Sequence, residues 1–259
     1  MHWSRPVHIE QLGSGPNLVM LHGWSMHSGV WHQLADYLAE RFTLHLVDLP
    51  GHGSSDWQSG GFELDKLLPA LADKLPQKAV WLGWSLGGLL SLAFAQRYPD
   101  RVSKLSLMAA TPRFVRDKDW PCAMQSEVFE NFAVSLDVDQ KQTLQRFLML
   151  QAKGADKSRA TIRELSERLA LQHSPDSEAL HAGLDCLLQL DMRDALAALN
   201  CPVQMLLGTR DTLIPAEMPD YARELNPALQ VVMLDGLGHA PFMAQAAQCQ
   251  QQIEQFING

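Results

Sequence analysis

Residues 79–88 read Ala-Val-Trp-Leu-Gly-Trp-Ser-Leu-Gly-Gly, a G-x-S-x-G arrangement made by Gly83, Ser85 and Gly87. A serine hydroxyl is a poor nucleophile by itself. Displayed on a tight turn between a strand and a helix, it projects from a strained backbone, and the flanking glycines remove side chains that would clash. The helix N-terminus then sets free N–H groups and a positive dipole beside a reacting carbonyl. Such a serine does acyl transfer if a histidine takes its proton and an acid holds that histidine's tautomer. In this arrangement the acid and then the histidine follow the serine along the chain.

Ten histidines are present, and chain order sorts them. His2, His8, His22, His27, His32, His45 and His52 precede Ser85, and His173 and His181 fall in a long helical stretch. His239 lies in Gly236-Leu237-Gly238-His239-Ala240-Pro241-Phe242, a glycine-flanked loop after the last expected strand. The acid should end the strand before it, where Val203 to Gly208 is followed by Thr209-Arg210-Asp211. Asp211 is the candidate; Asp235 is too close to the histidine loop, and Asp185, Asp191 and Asp194 precede the positioning strand. Two N–H donors must face the developing oxyanion. One is expected at Leu86, the residue after the serine.

These residues need a scaffold that ends several strands near one point. Short β-rich apolar runs at 17–22, 43–48, 79–83, 105–109, 203–208 and 230–234 alternate with helical periodicity at 31–40, 63–74, 86–98, 216–225 and 243–256. That alternation predicts an α/β fold with a mostly parallel central sheet flanked by helices. An extra strand near 7–11 is expected to pair antiparallel at an edge. Between about Arg113 and Leu190 the alternation stops, and helices are predicted at 123–136, 138–153, 155–172 and 176–190, punctuated by Gly154 and Ser174-Pro175. The division expected is core over 1–112, an inserted helical cap over 113–190, and core again over 191–259.

At this point the chain resembles the α/β-hydrolase family along essentially its full length. His22-Gly23-Trp24 is similar to the family's H-G-x loop, Asp48-Leu49-Pro50-Gly51-His52-Gly53-Ser54-Ser55 to its D-x-P-G-x-G-x-S segment, and the run through Asp211 to its strand followed by G-x-x-D. The resemblance implies a catalytic histidine at His239 and a second oxyanion donor at the N–H of Trp24. Within the family, residues 42–51, 81–88, 145–151 and 238–242 look like the esterases that demethylate pimeloyl-acyl carrier protein in biotin synthesis, with Trp84 a particular point of likeness. That likeness implies acyl carrier protein as partner, no cofactor and no metal, and Arg146, Arg159 and Arg163 as carrier-docking residues; where those esterases carry a further arginine, this chain has Gln142.

The docking expectation has a basis in charge. Residues 141–163 hold Lys141, Arg146, Lys153, Lys157, Arg159 and Arg163 against one acid, Asp156, a net +5 inside a chain of −8. An acidic partner would meet a locally basic face there, although charged helix faces also occur merely to be solvated. Trp24, Trp84, Leu86 and Phe147, with Phe242 a further candidate, are expected to line an apolar acyl channel, and aromatics at such spacing equally serve as plain core.

Composition bounds the rest. With 46% apolar and 19% charged residues over 259 positions, the chain is an ordinary globular protein. Its acidity argues against general nucleic-acid binding. Cys122, Cys186, Cys201 and Cys249 have no metal-ligand spacing and read as reduced thiols. The first six residues lack a secretory pattern, and no apolar run reaches the roughly 18 residues that span a bilayer, so a cytoplasmic monomer is the expectation. Open alternatives are a general carboxylesterase of short acyl esters, a carbon–carbon bond hydrolase, and a noncatalytic binding protein on the same scaffold.

Overall fold

A computed structural model describes residues 7–259; residues 1–6, where no secretory leader is expected and which include His2, lie outside the described residues. The strands are β1 His8–Leu12, β2 Asn17–Leu21, β3 Thr43–Asp48, β4 Ala79–Trp84, β5 Val102–Met108, β6 Val203–Gly208 and β7 Gln230–Leu234. They form one sheet in the order β1-β3-β2-β4-β5-β6-β7. Every pair is parallel except β1 with β3, which is antiparallel at the edge. The helices in chain order are α1 His32–Leu38, α2 Leu64–Lys74, α3 Leu86–Arg97, α4 Ser126–Val138, α5 Gln140–Gln151, α6 Ser158–Ala170, α7 Ser177–Gln189, α8 Arg193–Ala198, α9 Met218–Leu225, α10 Pro241–Ala244 and α11 Ala246–Asn258.

The order of strands fixes where a site can form. From β2 the chain moves outward to β3, then returns to β4 on the other side of β2, so the winding reverses between β2 and β4. The crevice beyond the C-terminal ends of such neighbouring strands is where open α/β sheets bind ligands. The loops carrying Trp24 and Ser85 leave β2 and β4 at that point.

Both sheet faces are covered, as parallel strands require. On one face Val19, Leu21, Trp81, Leu105, Leu107 and Met205 join a core that continues into α3, α4, α5 and α7. On the other Leu18, Met20, Leu82, Trp84 and Leu206 pack with α1 and α11. Gly83, Gly87 and Gly88 let α3 approach the sheet: a Cβ on Gly87 would meet the carbonyls of Leu21 and His22, and one on Gly88 the side chain of Ala110.

Four differences from the sequence expectations have local causes. The helix expected over 243–256 is two, because Pro241 opens α10 and Gln245 leaves the helical region at φ −148°, ψ 64°. The first helix after β5 begins at Ser126 rather than 123, since Met124 bridges to Val115. The helix expected from 155 begins at Ser158, because the Asp156 N–H turns away to the Gly236 carbonyl, 3.0 Å. The short α8 has no signal of its own in the apolar pattern.

Candidate active site

Ser85 is the hinge between β4 and α3. Its backbone sits at φ 53°, ψ −118°, a region that costs a non-glycine residue of the order of 1–3 kcal/mol and persists only where surroundings enforce it. Here the Ser85 N–H donates to the Met108 carbonyl at 3.0 Å, and its own carbonyl accepts from Gly88 and Leu89 at 2.9 and 3.2 Å. The turn is thus tied to β5 on one side and to α3 on the other. Leu86 opens α3, so its N–H has no partner within the helix.

The Asp211 and His239 loops are bound to each other. Arg210 donates to the Leu237 carbonyl at 2.8 Å, and Gly208 has no Cβ to obstruct the Leu237 and Gly238 carbonyls. One Asp211 oxygen accepts from Leu213 and Ile214 N–H at 2.8 and 3.1 Å. Its other oxygen lies 2.8 Å from His239 Nδ1, and His239 Nε2 lies 2.9 Å from Ser85 Oγ. A carboxylate only accepts, so Nδ1 carries the imidazole proton and Nε2 presents its lone pair to the serine hydroxyl. The side chains of His239 and Asp211 have no solvent exposure, and Ser85 is 4% exposed. Such an arrangement can activate the Ser85 hydroxyl as a nucleophile in a site shielded from solvent.

The histidine is held by its backbone as well. The Gln151 carbonyl at the C-terminus of α5 accepts the His239 N–H at 2.9 Å. The Trp84 indole N–H donates to the His239 carbonyl at 2.7 Å. Trp84 stacks edge-on against Phe242, 5.0 Å between centroids, and faces Trp31 at 6.4 Å. Trp84 and Phe242 therefore lie together in the core beneath the histidine loop, on the α1 and α11 side of the sheet.

The remaining aromatic candidates lie on the opposite side. The Trp24 indole donates to the Leu180 carbonyl of α7 at 2.8 Å and meets Phe147 of α5 edge-on at 4.7 Å. Phe132 completes the cluster, 5.5 Å from Phe147, and Gly183 of α7 lies against both Trp24 and Leu86. The structure therefore brings Trp24, Leu86 and Phe147 together and separates Trp84 and Phe242 from them. Gln151 was not anticipated from sequence; among the described residues its buried side-chain amide has no hydrogen-bond partner, while its backbone carbonyl holds His239.

The basic candidates are all exposed. Arg146 donates to Gln142 at 2.5 Å one turn earlier on α5. Arg163 reaches Glu167 at only 3.9 Å with both side chains largely in solvent, and Arg159 lies one turn before it on α6. Among the described residues no group of three His, Cys, Asp or Glu side chains is placed to hold a metal, and no helix is long and apolar enough to cross a membrane.

A family model described as alpha/beta hydrolase fold matches residues 16–246. The chain belongs to the α/β-hydrolase fold family. It is 44% identical over 251 residues to a pimeloyl-[acyl-carrier protein] methyl ester esterase of Xanthomonas axonopodis pv. citri (strain 306), covering 97% of this chain and 98% of that one. A protein of the same name from Nitrosomonas europaea is 40% identical, covering 92% and 94%. Solved α/β-hydrolase structures agree in fold: an esterase from Exiguobacterium antarcticum superposes with TM-score 0.87 at 21% identity, covering 98% and 96% of the two chains. An enol-lactonase from Burkholderia xenovorans LB400 gives 0.85 at 20%, covering 98% and 96%.

Proposed function

We propose that this α/β hydrolase is a carboxylesterase that cleaves the methyl ester of pimeloyl-acyl carrier protein, giving pimeloyl-acyl carrier protein and methanol in biotin synthesis. The observation that carries the chemistry is the buried chain of hydrogen bonds from Asp211 through His239 to Ser85. The full-length identity to esterases of that name supports the substrate.

The hydrogen bonds from Asp211 to His239 and Ser85 support an acyl-enzyme route. His239 Nε2 takes the Ser85 proton as Oγ attacks the ester carbonyl, and Asp211 stabilises the imidazolium. The N–H groups of Leu86 and Trp24 receive the oxyanion. His239 returns the proton to the departing methoxide, methanol leaves, and Ser85 keeps the acyl group. Water, deprotonated by His239, then releases the acid and restores the serine. No step calls for a metal or organic cofactor. Trp24, Leu86 and Phe147 supply the apolar surface against which the acyl chain lies. Residues 113–190 serve as the cap, and Arg146, Arg159 and Arg163 on its helices α5 and α6 receive the acidic carrier. In this reading the enzyme acts in the cytoplasm as a monomer, without membrane or nucleic acid.

The test is hydrolysis of pimeloyl-acyl carrier protein methyl ester beside a short p-nitrophenyl ester. The native protein is expected to cleave both, and Ser85→Ala to lose both by at least about a thousandfold. Cleavage of the short ester alone would leave a general carboxylesterase.

A further inference from the structure

The triad fixes the nucleophile, but the oxyanion donor on the β2 loop needs its own support. A trans peptide unit points its C=O and N–H to opposite sides. Whatever fixes the Gly23 carbonyl therefore also sets the direction of the Trp24 N–H. That peptide lies beside the nucleophile: a Cβ on Gly23 would come within 3.3 Å of the Ser85 Cβ. Among the described residues, the Trp24 N–H donates to no other group.

The Gly23 carbonyl is held from behind. His22 Nδ1 lies 2.8 Å from it, and the Met26 N–H donates to it at 3.3 Å. The histidine contact is a hydrogen bond only if Nδ1 carries the proton, and the other ring nitrogen settles this. The Leu49 N–H points at His22 Nε2, 3.0 Å away. A backbone N–H only donates, so Nε2 must be the bare, accepting nitrogen. Leu49 thereby selects the tautomer that His22 uses on Gly23. The ring is fully buried, with both nitrogens occupied and no freedom to turn.

We propose that His22 is a positioning residue of the oxyanion hole: locked in its Nδ1–H tautomer by the Leu49 N–H, it fixes the Gly23 carbonyl and so aims the Trp24 N–H at the oxyanion formed on Ser85. The Asp48–Ser55 loop, through its Leu49 N–H, thus sets the geometry of a donor on the loop after β2. This inference rests on the serine-esterase reading and on Trp24 as oxyanion donor.

Two substitutions separate the positions of the ring nitrogens. His22→Asn keeps a polar donor near Nδ1, whereas His22→Gln keeps a polar atom near Nε2 and loses the one facing Gly23. Each is assayed on a phenyl ester of a short acid and on its thionoester, whose sulfur accepts hydrogen bonds poorly and draws little from an oxyanion hole. For His22→Gln the expected kcat on the oxygen ester falls about tenfold to a hundredfold with KM little changed, less than outright removal of a donor. Its preference for the oxygen ester over the thionoester should shrink by a similar factor, while His22→Asn loses several-fold less on both measures. A merely structural role would lower both esters together and leave the preference at the native value, which overturns the proposal. In the native protein, 15N-histidine spectra, with the His22 ring assigned through its contacts to Gly23 and Leu49, should show the His22 proton on Nδ1. A proton on Nε2 overturns it whether or not the variants fold. If Ser85→Ala retains hydrolysis of the phenyl ester, the esterase reading itself fails, a result separate from either outcome at His22.

Discussion

At the scale of single residues, the site depends as much on carbonyls as on side chains. His239 must hold its Nε2 within reach of Ser85 while its Nδ1 faces Asp211, and two bonds to its own peptide groups set that position. One of them is the Trp84 indole, which donates to a carbonyl buried with it. Trp84→Phe keeps an aromatic ring against Phe242 but leaves that carbonyl unpaired, a loss of about 1–3 kcal/mol in stability. Because the carbonyl belongs to the histidine proposed as general base, kcat should fall about tenfold with KM little changed. Urea unfolding and steady-state kinetics on a short ester read the two effects, and a variant with native kcat would sever Trp84 from catalysis. The three hydrogen-bonded side chains proposed as the triad could be chosen from the sequence, since the elbow motif names Ser85 and chain order leaves few partners for it. Trp84 was not: the strand pattern tells which face it takes, but nothing local tells that its N–H meets a carbonyl 155 residues away. Gln151 escaped notice for the same reason, and the H-G-x motif marked His22 without showing that its ring meets the Leu49 N–H.

At the scale of elements, legibility followed the apolar period. The boundaries of β3, β6 and β7 agree with the sequence reading, because each is a short buried run with clear punctuation. The reversal of winding between β2 and β4 is a property of strand order, on which periodicity is silent. Among the helices after β5, α5 and α6 pack on each other and hold the exposed Arg146, Arg159 and Arg163. Arg159 and Arg163 are one turn apart on α6, and the weak 3.9 Å pairing of Arg163 with Glu167 leaves its charge available. Arg159→Ala/Arg163→Ala is therefore expected to lower kcat/KM for the carrier-bound ester about tenfold or more at low salt. The defect should narrow as salt screens the native attraction, and turnover of a p-nitrophenyl ester should stay within about twofold. Equal loss on both substrates would mean that α6 acts through the fold and not by docking.

At the scale of the whole molecule, the chain buries two histidines at and beside the loop after β2, and that choice makes its stability depend on pH. The rings of His22 and His52 are 5.3 Å apart, both fully buried, with His27, Asp48 and Asp176 as their charged or titratable neighbours. Burial drives His22 well below the ordinary imidazole value, reinforced by repulsion from His52. Burial likewise pushes His52 down to about 4, against the pull of its bond to the Pro50 carbonyl and of Asp48. In the unfolded chain both titrate near 6.5. Between about pH 6.5 and 4 the unfolded state therefore binds protons that the folded state refuses. Stability present above that window falls as pH drops, by up to about 1.4 kcal/mol per pH unit for each histidine. Two other effects separate cleanly from this one. Asp191, drawn down to about 2 first by its hydrogen bonds to Arg193, loses its contribution only below about pH 4. The formal charge of −8 at neutral pH shrinks on acidification, which relieves self-repulsion and works in the opposite direction. A net fall in the urea midpoint from pH 7 to pH 5 must then come from groups that resist protonation in the folded protein. His52→Gln, which removes one of them, should flatten that fall by up to about half. A fall that His52→Gln leaves at the native slope would mean that this buried ring is not its source.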